Sequence, residues 1–332
     1  MKILVPLVAV MALATAAYFG AGSFGGQYLF GVIAPYAAIM LFIPGIVYRV
    51  VNWAKSPVPF RIPVTCGQQR SLPWIKHSKL DNPAGTAGVV GRMALEVLLF
   101  RSLFRQTKAE IHQGPPFRVV QGSDKYLWLG ALVFHWSLLV ICIRHCRFFI
   151  EPVPNLVLAV QSLDGLFQVR LPPVLITDVL ILGALVYLWA RRLINAQVRY
   201  ISLAADHFPL LLLLGIAGTG LFMRHFDKVD LIAAKQLTRG LVGFAPVVPE
   251  GVAPVFFMHI FLVCVLVAYF PISKLTHMGG IFFSPTRNLA NNSRAKRHIN
   301  PWNYPVKVHT YEEYEDEFRD LMKAADMPVE KE

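Results

Sequence analysis

Four histidines lie inside long apolar runs, and their spacing is the chain's most chemically specific feature. His135 and His145 stand ten residues apart in KYLWLGALVFHWSLLVICIRHC, and His259 and His277 stand eighteen apart in PVFFMHIFLVCVLVAYFPISKLTH. An imidazole in hydrocarbon is costly without a partner, so an ionisable residue within a membrane span marks a functional site. Two on each of two helices, near opposite ends, suit axial ligation of two stacked haems. The chemistry this implies is electron transfer across a bilayer.

The rest of the chain must then supply a membrane bundle. Its 332 residues are 55% hydrophobic and only 16% charged, against roughly 25% charged in soluble domains. Six segments approach the roughly 20 apolar residues that cross a hydrocarbon core: 3–19, 28–48, 126–145, 174–193, 206–224 and 254–276. The first also fits a signal peptide; a retained anchor helix is the expectation. The fold class is an all-α polytopic integral membrane bundle of about six transmembrane helices, a dihaem cytochrome b. Residues 1–50 supply two N-terminal spans, 51–125 a cytoplasmic loop, 126–280 a four-helix haem-binding domain and 281–332 a cytoplasmic tail.

Charge orients the spans. With both termini on one side, that side carries 25 of the 32 Lys and Arg residues and the other carries 7. The positive-inside rule therefore places both termini in the cytoplasm, in a multi-pass protein of the cytoplasmic membrane. The net charge of +12 is a topology signal, not a sign of nucleic-acid binding. Span 126–145 then runs outward and 254–276 inward. His145 faces His259 for an outer haem, and His135 faces His277 for an inner one. The two ladders do not match rung for rung, since ten residues rise about 15 Å and eighteen about 27 Å. Helix tilt and a kink at Pro271 are expected to absorb the difference.

The remaining residues sort around that site. His207 and His225 stand at the two ends of span 206–224 beside Asp206 and Asp227. Interfacial solvation, quinone or propionate contact, and haem ligation all remain open for them. His77, His112, His298 and His309 read as surface residues. Cys66, Cys142, Cys146 and Cys264 form neither a zinc pattern nor a disulfide framework. CIRHC lacks the C-x-x-C-H order of covalent haem attachment, and Cys142 and Cys264 read as buried side chains. Within the loop, 89–108 has the spacing of an amphipathic helix at the membrane surface, with Arg92, Arg101 and Arg105 on its polar side. The tail turns from basic (285–309) to acidic (311–332), a solvated segment or a docking surface. No phosphate-binding glycine loop, zinc motif or catalytic triad is present, so the chemistry is confined to redox.

The four-histidine pattern resembles the membrane cytochrome b subunit of respiratory nitrate reductase, over roughly residues 28–280. The resemblance implies that His135 and His277 bind the inner haem and His145 and His259 the outer one. The long loop and extra first helix depart from that subunit. Together with SPVPFRIPVTCGQQRSLPW they are similar to the related cytochrome b subunit of the sulfite-reductase-associated membrane complex. That likeness implies menaquinol oxidation in sulfur or sulfite respiration and a cytoplasmic iron–sulfur partner resembling heterodisulfide reductase. Other membrane and periplasmic subunits and the quinone pool complete the implied partners. In the nitrate reductase subunit a glycine precedes the outer ligand near the quinol site; here that position is Arg144, whose guanidinium suits a haem propionate. Quinol oxidation at the outer face also needs a proton acceptor, for which Asp164, Asp178, His225 and Asp227 are available. His225 and Asp227 are preferred. Two rival functions remain: a proton-coupled transporter with a histidine relay, or a non-redox membrane anchor.

Overall fold

Apolar runs without a water-facing stripe fold into helices whose backbone groups are satisfied internally, as hydrocarbon requires. The computed structural model describes residues 2–56, 68–105, 107–112, 118–165, 174–295 and 308–331. Helix α1 is Leu4–Ala21 and α2 is Gly26–Ala54, the latter carrying one π-turn at Leu29–Ile33. Gly25, at φ 74°, makes the reversal between them. The loop supplies α3 (Thr86–Leu99) and α4 (Arg101–Arg105). A hairpin follows, β1 (Thr107–His112) antiparallel to β2 (Arg118–Ser123), with Thr107 opposite Ser123. Then come α5 (Lys125–His145), α6 (Asn155–Asp164), α7 (Ile176–Ile194), α8 (Ala196–Ile201) and α9 (Ala204–His225). The chain continues with α10 (Leu231–Val242), α11 (Pro254–Tyr269), α12 (His277–Phe283) and α13 (Tyr311–Ala324).

Five of these helical stretches are long and apolar enough to span a membrane: α1, α2, α5 with the turn after it, α9, and α11 with the turn after it. The sixth expected span is α7, 19 residues long, with Asp178 near one end and Arg191 and Arg192 at the other. One of its faces packs between α5 and α9. Helix α9 packs next on α11, and α1 and α2 close over α11. Leu185, Ile181, Phe134 and Leu213 fill the first of these seams; Leu212, Leu262 and Val10 fill the seam of α9, α11 and α1. At one end of the bundle Phe257, Phe256, Leu237 and Val32 form a third cluster beneath α10.

One end of the bundle gathers the basic residues on which the topology was counted. Lys2 Nζ donates to the Tyr200 carbonyl at 3.3 Å, and Arg191 pairs with Asp124 at 2.7 Å. Lys274 pairs with Asp206 at 2.7 Å, and Arg49 NH2 donates to the Ser273 carbonyl at 3.3 Å. These residues come from five separate stretches of chain, so alternate helices do return to a common face.

The loop departs from expectation in three ways. The surface helix breaks at Phe100, which adopts a left-handed φ of 50°. Arg92 is not on a solvated side but 2% exposed, its guanidinium spent on backbone carbonyls. The β-hairpin adds the one two-stranded ribbon among the described residues. Cys142 is also exposed on α5 while Cys264 is buried; an apolar run facing lipid exposes its residues as readily as it buries them. Most of SPVPFRIPVTCGQQRSLPW, with Cys66, lies outside the described residues, as do His298 and the His112 side chain.

Candidate haem-ligand site

Helix α5 carries His135 at mid-length and His145 as its last residue. Helix α11 carries His259 in its second turn. His277 does not belong to that helix. The α-helix stops at Tyr269, Pro271 sits in a 3-10 turn, and Ser273 is extended at φ −99°, ψ 174°. A second 3-10 turn, Lys274–Thr276, then delivers His277 as the first residue of α12. The eighteen-residue interval is therefore not one straight rise. Pro271 removes an amide donor where the helix ends. Gly45 of α2 lets the break pack closely, since a Cβ there would lie 2.7 Å from Pro271 Cβ.

The inner pair meets directly. The rings of His135 and His277 lie 5.9 Å apart between centres, at 87°. Two metal–imidazole bonds of about 2 Å each, with the ring radii added, put an axial pair roughly 6 Å apart between centres. Among the described residues α5 and α11 form no packed seam comparable to those of their neighbours.

Hydrogen bonding fixes which ring nitrogen each histidine offers. His135 Nδ1 lies 2.7 Å from the Ala131 carbonyl, His145 Nδ1 2.8 Å from that of Ile141, and His277 Nδ1 2.9 Å from that of Lys274. A carbonyl only accepts, so Nδ1 carries the proton and Nε2 holds the free lone pair. His259 Nδ1 lies 2.9 Å from Thr219 Oγ1, whose own hydroxyl points at the Gly215 carbonyl at 2.8 Å. Its Nε2 is free by the same logic. Orienting hydrogen bonds of this kind are what metal-ligating histidines use to set tautomer and direction. Among the described residues no group of three or more His, Cys, Asp or Glu could hold a bare metal ion. Facing pairs fit a macrocycle that supplies the other four ligands.

Aromatic side chains border two of the rings, His135 and the exposed His145. Phe134 and Phe100 each meet His135 edge-on at 4.9 Å, and Phe148 lies 5.7 Å from His145. Arg144 is committed elsewhere. Its NH1 donates to Asp164 Oδ2 at 2.6 Å and to Thr177 Oγ1 at 3.0 Å, with Asp178 Oδ1 at 3.8 Å. Thr177 in turn donates its amide and hydroxyl to Asp164, at 2.9 and 2.6 Å. Arg224 Nε stands 4.0 Å from Asp178 Oδ2. The outer end of the site thus holds a buried, internally neutralised charge cluster built from α5, α6, α7 and α9.

His225 and Asp227 are half-buried at the end of α9, and among the described residues neither joins that cluster. His207 is not a solvated interfacial residue: it is 1% exposed, and its Nδ1 has no hydrogen-bond partner among the described residues. Sequence reasoning missed Thr219, Phe100 and the Arg144–Thr177 contact, because each partner comes from a different helix.

The Nitrate reductase gamma subunit family matches residues 119–297, the stretch that holds all four histidines. The chain belongs to this family. It is also 45% identical over 281 residues to the Hdr-like menaquinol oxidoreductase cytochrome b-like subunit of Archaeoglobus fulgidus, covering 82% of this chain and 83% of the relative. The protein of the same description from Archaeoglobus profundus is 42% identical over 275 residues, 81% of each chain. The similarity to these cytochrome b-like subunits thus extends well beyond the family segment. Helices α1 and α2 and the α3–α4 cap lie outside the matched segment.

Proposed function

We propose that this chain is a dihaem b-type cytochrome that oxidises menaquinol near the outer histidine pair and passes electrons inward to a cytoplasmic iron–sulfur partner. The observation that carries this reading is the pair of facing imidazoles, His135 and His277, at axial-ligand separation with both Nε2 atoms free. The likeness to the Archaeoglobus Hdr-like menaquinol oxidoreductase subunits supports quinol as the donor and a heterodisulfide-reductase-like complex as the setting. Sulfur or sulfite respiration, periplasmic and further membrane subunits, and cytoplasmic termini belong to the same proposal.

Bound haem supplies a one-electron iron centre at each pair; the chain's own residues do the rest. His135 with His277 and His145 with His259 hold the two groups, and the carbonyls of Ala131, Ile141 and Lys274 with the Thr219 hydroxyl keep the rings aimed. Phe100 and Phe134 lie edge-on against His135, and Phe148 lies beside His145. Arg144, already neutralised by Asp164, holds the outer end of α5 in place. His225 or Asp227 accepts one of the two protons that quinol releases at that end as its two electrons leave. A pyridine haemochrome assay on the purified chain tests the reading. About two extractable haems per chain are expected; one haem, or covalently retained haem, overturns it.

A further inference from the structure

The inner pair depends on a piece of chain outside the matched family segment. His277 lies beyond the end of α11, so that helix's hydrogen-bond ladder does not hold it. The residues just before it are held by Arg49 on the Ser273 carbonyl and by the Lys274–Asp206 pair, and the chain beyond α12 is held by the cap formed by α3 and α4. Arg92, buried in α3, donates from NH1 to the Asp81 carbonyl at 3.1 Å and from Nε to the Arg287 carbonyl at 3.1 Å. Its NH2 donates to the Leu289 carbonyl at 2.9 Å and again to Arg287. Asn291 adds a backbone bond to the Pro83 carbonyl and a side-chain bond to Asn82, each 2.7 Å. Residues 287–291 directly follow α12, the helix that His277 begins.

The same cap grips the other ligand helix. Trp128 Nε1 donates to the Leu99 carbonyl at 2.7 Å and Trp136 Nε1 to the Leu98 carbonyl at 3.0 Å. Both tryptophans belong to α5, and Trp136 adjoins His135. These bonds satisfy carbonyls that the end of α3 would otherwise leave open. They also bring Phe100 edge-on to the His135 ring at 4.9 Å. Phe100 holds a left-handed φ of 50°, a conformation that a bulky residue keeps only where its surroundings over-determine it.

We propose that the α3–α4 cap is a clamp for the inner axial pair, in which Arg92 fixes the His277 arm and Phe100 fixes the His135 ring. Both are positioning residues, since neither offers a ligand. The clamp rests on the two-haem reading and adds to it: the inner site is built by the added cap as well as by the four-helix core. A rigid grip on both arms holds ring orientation, and ring orientation with water exclusion tunes a haem's spectrum and potential.

The test uses the full-length, haem-loaded chain in detergent or nanodiscs, read by low-temperature EPR and redox titration. The inner signal is assigned as the one lost in His277→Ala. Arg92→Lys, Phe100→Leu and Phe100→Gly are each expected to shift or broaden that signal and move its midpoint potential, leaving the outer signal in place. Phe100→Tyr, which keeps the ring, is expected to restore the wild-type inner signal. A wild type with one haem overturns the dihaem reading. A wild type with two haems whose inner signal ignores all three disruptive substitutions overturns the clamp alone. Equal loss of both signals in the Phe100 variants also overturns it, since the effect would then be on folding in general.

Discussion

Thr219 Oγ1 of α9 stands 2.9 Å from His259 Nδ1 of α11 and is itself anchored on the Gly215 and Ile216 carbonyls. The other three embedded histidines borrow a carbonyl of their own chain segment to set their tautomer. His259 alone of the four takes its orienting partner from a neighbouring helix. His259 is therefore tied to the α9–α11 seam, and His277 to the helix break.

The two pairs are expected to fail independently. His145→Ala or His259→Ala should abolish one low-spin EPR signal, and His135→Ala or His277→Ala the other. His207→Ala should leave both. Loss of a signal in His207→Ala would give a ligand role to α9 instead.

Thr219→Val keeps the shape of the side chain but leaves His259 Nδ1 without its acceptor. An unsatisfied buried donor costs about 1–3 kcal/mol, so the ligand should hold its haem less tightly. Haem-release kinetics should speed up at the outer site alone. Unchanged release would show that Thr219 has no part in aiming the ring.

Arg144 and Asp164 are both largely buried, with side chains 12% and 3% exposed. Removing one partner strands the other charge, at a cost of about 3–5 kcal/mol. Arg144→Ala and Asp164→Ala should each lower the thermal unfolding midpoint, and the double variant should fall less than the two changes summed. Additive losses would mean that the pair is not coupled.

Burial pushes the Asp81 carboxyl up, but hydrogen bonds and charge from Arg105 and Arg101 outweigh it and hold the group below its ordinary 3.8. A depressed folded-state pKa contributes stability that is present above the unfolded value and lost as pH falls through the folded one. Hydrogen exchange in α3 and α4 should therefore accelerate only below about pH 3.8. Asp81→Asn should remove that step; its persistence would assign the step to another group.

His225 and Asp227 are the proton acceptors proposed for quinol oxidation. Losing a positioned acceptor slows a proton-coupled step by roughly a hundredfold. His225→Ala or Asp227→Asn should slow haem reduction by a menaquinol analogue while dithionite still reduces both haems. Normal quinol-driven rates in both variants would move the site to the inner face.

The sequence by itself determined the class, an all-helical membrane bundle, and singled out the four histidines that two of its helical arms carry. Hydrocarbon tolerates neither a free imidazole nor an unsatisfied backbone, so His135, His145, His259 and His277 in apolar runs already dictated helices and partners. What tertiary structure decided was everything that depends on a second helix. Pro271 announced a kink, but only the folded chain shows an extended Ser273 and a separate helix begun by His277. Arg92 looked like a solvent-facing charge because periodicity reports a face and not what covers it; the carbonyls of Arg287 and Leu289 come from far along the chain. Arg144 beside a ligand suggested a propionate, yet Asp164 and Thr177 reach it first. Local spacing specifies which residues share a helix face, and long-range packing alone specifies what that face meets.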